Sequence, residues 1–179
     1  MTTWIALFRG INVGGRNVLP MTELLRELQS LNLENVRTYI QSGNVVFRAQ
    51  RRVSKTLGTK IATKIEKRHG FRPHVLILSA DELANAIESN PFPEAEAEPK
   101  SLHLFFLSSV ATAADSVSIS ERKSPSERYH LTDRVFYLHA PDGIGRSKLA
   151  ASVEKLLGVT VTARNWRTVQ KLWEMAKGN

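Results

Sequence analysis

The chain of 179 residues contains no cysteine. Disulfides, a thiolate nucleophile and a cysteine-held zinc or iron–sulfur centre are therefore excluded. No apolar run approaches the roughly 20 residues that cross a bilayer, and Met1-Thr2-Thr3-Trp4 lacks the basic start and apolar stretch of a secretory signal. No membrane contact and a cytoplasmic location are expected. His69, His74, His103, His130 and His139 show neither H-x-H nor H-E-x-x-H spacing, so no metal site is expected. Asp81, Glu82 and Asp133 have no evident partner carboxylate, Ser42 stands outside a G-x-S-x-G elbow, and no motif calls for a cofactor.

What is present is an ordinary globular composition, 42% hydrophobic and 23% charged, with a formal charge of +8. Disorder and fibre formation are excluded. The charge is concentrated. Between Arg48 and Arg72 lie nine basic residues, among them Arg51, Arg52, Lys60, Lys64 and Arg68, against the single acid Glu66, while elsewhere the charges cancel. Lys60, Lys64 and Arg68 recur every four residues beside the apolar stripe Leu57, Ile61, Ile65, which predicts an amphipathic helix with a basic outer face. Such a face is either simply solvated or a docking surface for a polyanion such as nucleic acid.

Along the chain, Trp4–Arg9 reads as a strand, Thr22–Leu31 as a helix, Val36–Ile40 and Val45–Arg48 as strands about a Gln41-Ser42-Gly43-Asn44 hairpin turn. The basic helix and a strand at His74–Leu78 complete a βαββαβ order, and Ser79 with Glu82 forms a capping box that opens a further helix to about Asn90. Three prolines and three acids between Pro91 and Pro99 read as a linker. Beyond it follow a strand at Leu102–Leu107, a weak helix at 112–121, strands at Tyr129–Leu131 and Val135–His139, and a helix at Lys148–Leu157. A short strand at Val159–Val161 and a last helix at Trp166–Ala176 close the chain. The fold class expected is α+β: two ferredoxin-like (α/β-plait) subdomains packed together, spanning 1–90 and 101–179 about a linker at 91–100. Trp4–Phe8 and Leu102–Leu107 are nearly continuous apolar runs, so these strands are expected to be covered on both faces, unlike the open sheet of an RNA-recognition motif, whose [KR]-G-[FY]-[GA]-[FY] core is absent.

Three turns carry basic residues toward helix starts: Arg9 to Asn17, with Asn12, Gly14, Gly15 and Arg16; Asp142 to Lys148, with Ser147 as a cap; and Thr162 to Thr168, with Arg164, Asn165 as a cap, and Arg167. Positive charge beside the positive end of a helix dipole is unfavourable unless an anion or carboxylate compensates it. Each turn alone reads as structural, and none matches G-x-G-x-x-G or G-x-x-x-x-G-K-[ST]. Together with Gln41, Ser42 and Asn44 they form an inventory of donors for a small phosphorylated or carboxylated ligand, a nucleotide among the candidates, in a cleft between the halves. Non-specific nucleic-acid binding through the basic helix and a protein-interaction module without a small-molecule site are the competing readings.

The blocks Arg9-Gly10-Ile11-Asn12-Val13-Gly14-Gly15 with Met21, Thr38 to Phe47, Asn90-Pro91-Phe92, and Thr162-Ala163-Arg164-Asn165-Trp166 resemble an uncharacterised bacterial family, domain of unknown function 1697. The resemblance implies two α/β-plait subdomains and carries over no catalytic residue.

Overall fold

A computed structural model describes residues 1–50 and 56–178. The chain divides into two compact units, Met1–Asn85 with Lys171–Asn179, and Ala86–Gln170. In the first, β1 (Thr2–Arg9), α1 (Met21–Gln29), β2 (Glu34–Tyr39), β3 (Asn44–Ala49), α2 (Leu57–His69) and β4 (His74–Ser79) build an antiparallel sheet in the order β2-β3-β1-β4. In the second, β5 (Leu102–Leu107), α4 (Ser116–Arg122), β6 (Arg128–Leu131), β7 (Val135–His139), α5 (Val153–Leu157) and β8 (Val161–Asn165) repeat that topology as β6-β7-β5-β8. Each unit is thus a ferredoxin-like plait. A helix follows each plait directly from its last strand, α3 (Ala80–Glu88) after β4 and α6 (Trp166–Lys177) after β8.

The residues account for these elements. Ala6 and Phe8 of β1 pack with Val45 and Phe47 of β3 against Leu24 and Leu28 of α1 and Ile61 and Ile65 of α2. Ile5, Leu7 and Val46 point the opposite way from the pleat and are equally inaccessible, so the central strands are covered on both faces. In the second unit Phe105, Leu107, Phe136 and Leu138 pack on Leu149, Val153, Leu156 and Leu157. Phe136 meets Phe105 edge-on at 5.9 Å and stacks on Tyr129 at 5.4 Å. Both arms of the capping box are made: the Ser79 amide donates to Glu82 Oε2 at 2.8 Å and the Glu82 amide to Ser79 Oγ at 3.1 Å. Among the described residues no helix is long and apolar enough to cross a membrane.

Three elements differ from the sequence expectation. The proline-rich stretch is part of the second unit, with Pro93–Ala97 forming a 3-10 helix that buries Phe92 and Ala95. Prolines are tolerated there because Pro93 sits at the helix start and Asn90 supplies side-chain bonds, accepting from the Phe92 amide at 3.0 Å and donating to Glu96 Oε1 at 2.8 Å. The segment Thr162–Asn165, read as a polar turn, is the last strand of its sheet, aligned with His103–Phe106. As an edge strand paired only with β5, it needs little apolar alternation. The division falls after Asn85 rather than at Asn90, and residues from Lys171 onward group with the first unit, where Met175 O accepts from Arg37 Nη2 at 2.5 Å.

Candidate functional site

In the first unit the β1–α1 connection is a short hairpin arm. Val13 and Arg16 form an isolated bridge, and Gly14 and Gly15 turn between them with φ of +56° and +74°. That pair of positive φ values is the signature of a two-residue type I′ turn, which glycine adopts without steric cost. The arm does not cap α1, whose N-cap is Pro20 with no side-chain bond. Asn12 anchors the arm: its Oδ1 accepts from the Leu19 amide at 2.7 Å, and its Nδ2 donates to Leu19 O at 2.9 Å and Gln41 O at 2.8 Å.

The β2–β3 turn is held equally firmly. The Phe8 amide donates to Gly43 O at 2.8 Å, and buried Asn44 donates through Nδ2 to Ser42 Oγ at 2.9 Å and Tyr39 O at 3.2 Å. Arg9, paired in register with His74, shares a sheet face with Leu7 and Asn44. The fold therefore gathers Arg9, Asn12, Gln41, Ser42 and Asn44 at one end of the first sheet. Arg16 and the two glycines stand on the exposed arm beside them.

In the second unit Ser147 Oγ accepts from the Ala150 amide at 2.9 Å and opens the helical segment that becomes α5, with exposed Lys148 next to it. Asn165 Oδ1 accepts from the Thr168 amide at 2.9 Å and caps α6. Arg164 lies opposite Leu104, on the face that carries Tyr137, and donates through Nη1 to Ala163 O at 2.8 Å. Burial pulls its pKa down to about 10, so the guanidinium stays charged at neutral pH.

Arg167, the second residue of α6, lines a cavity of about 320 Å³ with Glu98, Pro99, Lys100, Ala140 and Pro141. Strand pairing creates it. Leu102 aligns with His139 and the Ala140 amide donates to Ser101 O at 2.8 Å, which brings the segment before β5 beside the segment after β7. His103 aligns with Asn165, which delivers the start of α6 to the same end of the sheet. The amide and hydroxyl of Ser101 both donate to Glu98 O at 2.8 Å, fixing the turn that presents Glu98 and Lys100. Among the described residues Glu98, Lys100 and Arg167 have no side-chain hydrogen bond or ion pair. Nearby, Arg128 pairs with Glu94, sits 4.7 Å above the Phe92 ring and lies 3.2 Å from His139 Nδ1. Burial and then the Arg128 charge hold His139 below the usual histidine range, against the opposing fields of Glu94 and Glu98.

The basic helix directs part of its charge inward. Glu27 of α1 faces Lys64 at 3.6 Å and Arg68 at 3.9 Å, and His69 approaches the same carboxylate at 3.9 Å. Lys60 is exposed on the same face, and Arg51 and Arg52 lie outside the described residues. Sequence reasoning found Arg167 through its helix start but missed Glu98 and Lys100. The only signal for them was a pair of opposite charges flanking Pro99.

The family model described as "Protein of unknown function (DUF1697)" matches residues 1–137. The chain belongs to that family. It is similar in structure to the conserved bacterial protein SP0830 from Streptococcus pneumoniae, with 25% sequence identity, a TM-score of 0.70 and 99% of each chain covered. No curated protein matches the chain in sequence.

Proposed function

We propose that this protein binds a small carboxylated or phosphorylated molecule, with Arg167 and Lys100 of the second-unit cavity as its anion anchors. The observation that carries the reading is the pair of cationic side chains lining one open cavity, neither of them engaged by a carboxylate among the described residues. The N-terminal end of α6 adds partial positive charge on the Arg167 side. The bacterial origin of the structural relative supports a bacterial metabolite as the ligand.

A thermal-shift panel at low ionic strength tests the reading, with phosphate, sugar phosphates, nucleotides, dicarboxylates, amino acids and short oligonucleotides. A native-state ligand at 100 times its Kd adds about 2.7 kcal/mol of stability. A rise with one small anion, lost in Arg167→Ala and Lys100→Ala, is the expected result. A rise confined to oligonucleotides, fading with salt and weakened by charge reversal at Lys60, would replace this reading with nucleic-acid binding through α2.

A further inference from the structure

We infer that the ligand of the second-unit cavity is an acidic α-amino acid, or a molecule of the same charge pattern: two anionic groups and one ammonium. The inference rests on the anion-binding reading above and names its substrate class. The cavity presents two positive side chains, Lys100 and Arg167, and one negative, Glu98. None of the three makes a side-chain hydrogen bond or ion pair with another described residue; Glu98 reaches His139 through its field alone. Had Glu98 served to neutralise Lys100 two residues away, the two would be in contact. Instead all three charges remain available to an occupant.

The charge pattern discriminates between ligand classes. A bare dianion such as phosphate or succinate satisfies Lys100 and Arg167 but meets Glu98 as a like charge, which favours protonation or expulsion rather than binding. A simple ammonium satisfies Glu98 and is repelled by the two cations. A molecule with two carboxylates and one ammonium complements all three groups, and every contact it makes is charge-assisted. The walls agree in character: Pro99, Ala140 and Pro141 offer a short apolar surface for a methylene chain and no further charge. The cavity, about 320 Å³ and open to solvent, has room for an amino acid. Arg167 is suited to hold a planar carboxylate through two parallel hydrogen bonds, and the flexible Lys100 is suited to meet the second anionic group as a point charge.

Isothermal titration at low ionic strength with L-aspartate, L-glutamate, succinate, glutarate and inorganic phosphate tests the inference. The amino acids are expected to bind at least about tenfold more tightly than the diacids of equal length, the difference being one charge-assisted contact. Glu98→Gln is expected to erase that preference, weakening the amino acids and leaving the diacids unchanged or improved. Glu98 is exposed and bonds no other described side chain, so the variant should fold, and its ligand-free melting temperature checks this. Diacids or phosphate binding as tightly as the amino acids, or a preference that survives Glu98→Gln, would overturn the substrate class and leave the anion-binding reading standing. Absence of binding by all five probes, with no response to any anion in the thermal panel, would remove both.

Discussion

The side-chain amide of Asn12 donates to the carbonyl oxygen of Gln41, 29 residues further along the chain, at 2.8 Å. With the two bonds it makes to Leu19, this single side chain ties the glycine arm to the β2–β3 turn. Asn12→Ala removes all three bonds and is expected to cost about 2–3 kcal/mol by urea unfolding. Asn12→Asp keeps the acceptor for the Leu19 amide but sets a carboxylate against two carbonyl oxygens. It is expected to be no more stable than the alanine variant.

Two glycines of the same region should behave differently. A Cβ on Gly43 would fall on Phe8 Cβ and 2.7 Å from Ile11 Cδ1, with φ at +75°, whereas a Cβ on Gly14 meets nothing within 4 Å. Gly43→Ala combines overpacking with a left-handed backbone and should destabilise by about 3 kcal/mol or more. Gly14→Ala bears only the backbone term, about 1–2 kcal/mol. Comparable losses in denaturant unfolding would show that the turn shifts to accommodate the new methyl group.

Ile40 has φ of +50° and is 52% exposed, an unfavourable setting for a β-branched side chain with little burial to compensate. Ile40→Asn should raise stability by about 0.5–1 kcal/mol, because Asn tolerates the left-handed region. A lower melting temperature would mean that the isoleucine side chain stabilises the turn in a way its exposure does not suggest.

His103 is buried in β5, its Nδ1 has no hydrogen-bond partner among the described residues, and desolvation, only partly opposed by the Ser101 backbone, lowers its pKa to about 4 from the ordinary 6.5. The unfolded chain therefore binds the proton first. The stability associated with the neutral ring is complete above pH 6.5 and is lost as pH falls toward 4, a slope worth up to about 3 kcal/mol. His103→Leu should remove that slope, so the stability difference between variant and wild type should widen in favour of the variant between pH 6.5 and 4. A difference independent of pH would mean that the buried ring titrates normally.

Much of this architecture was legible because the strongest elements carry their own periodicity. Leu24 and Leu28 mark α1, the apolar run from Ile5 to Phe8 marks a strand covered on both faces, and Ser79 with Glu82 marks the start of α3. Strand β8 was misread because an edge strand paired on one side can carry Thr162, Arg164 and Asn165, and its identity comes from β5 rather than from local pattern. The cavity was only partly visible for a related reason. Arg167 announces itself at a helix start, but Lys100 and Pro141 stand 41 positions apart in sequence and meet only through the register of Leu102 with His139.

The grouping of Lys171–Asn179 with Met1–Asn85 means that the second unit is spelled out inside the first. On the ribosome, at about 5–20 residues per second, the 85 residues of Ala86–Gln170 take roughly 4–17 s to synthesise, and throughout that interval the first plait lacks its closing helical turns. The carbonyl of Met175 that Arg37 binds is made only after the whole of that second unit. The unit whose first residues are translated earliest therefore waits longest for its remaining residues.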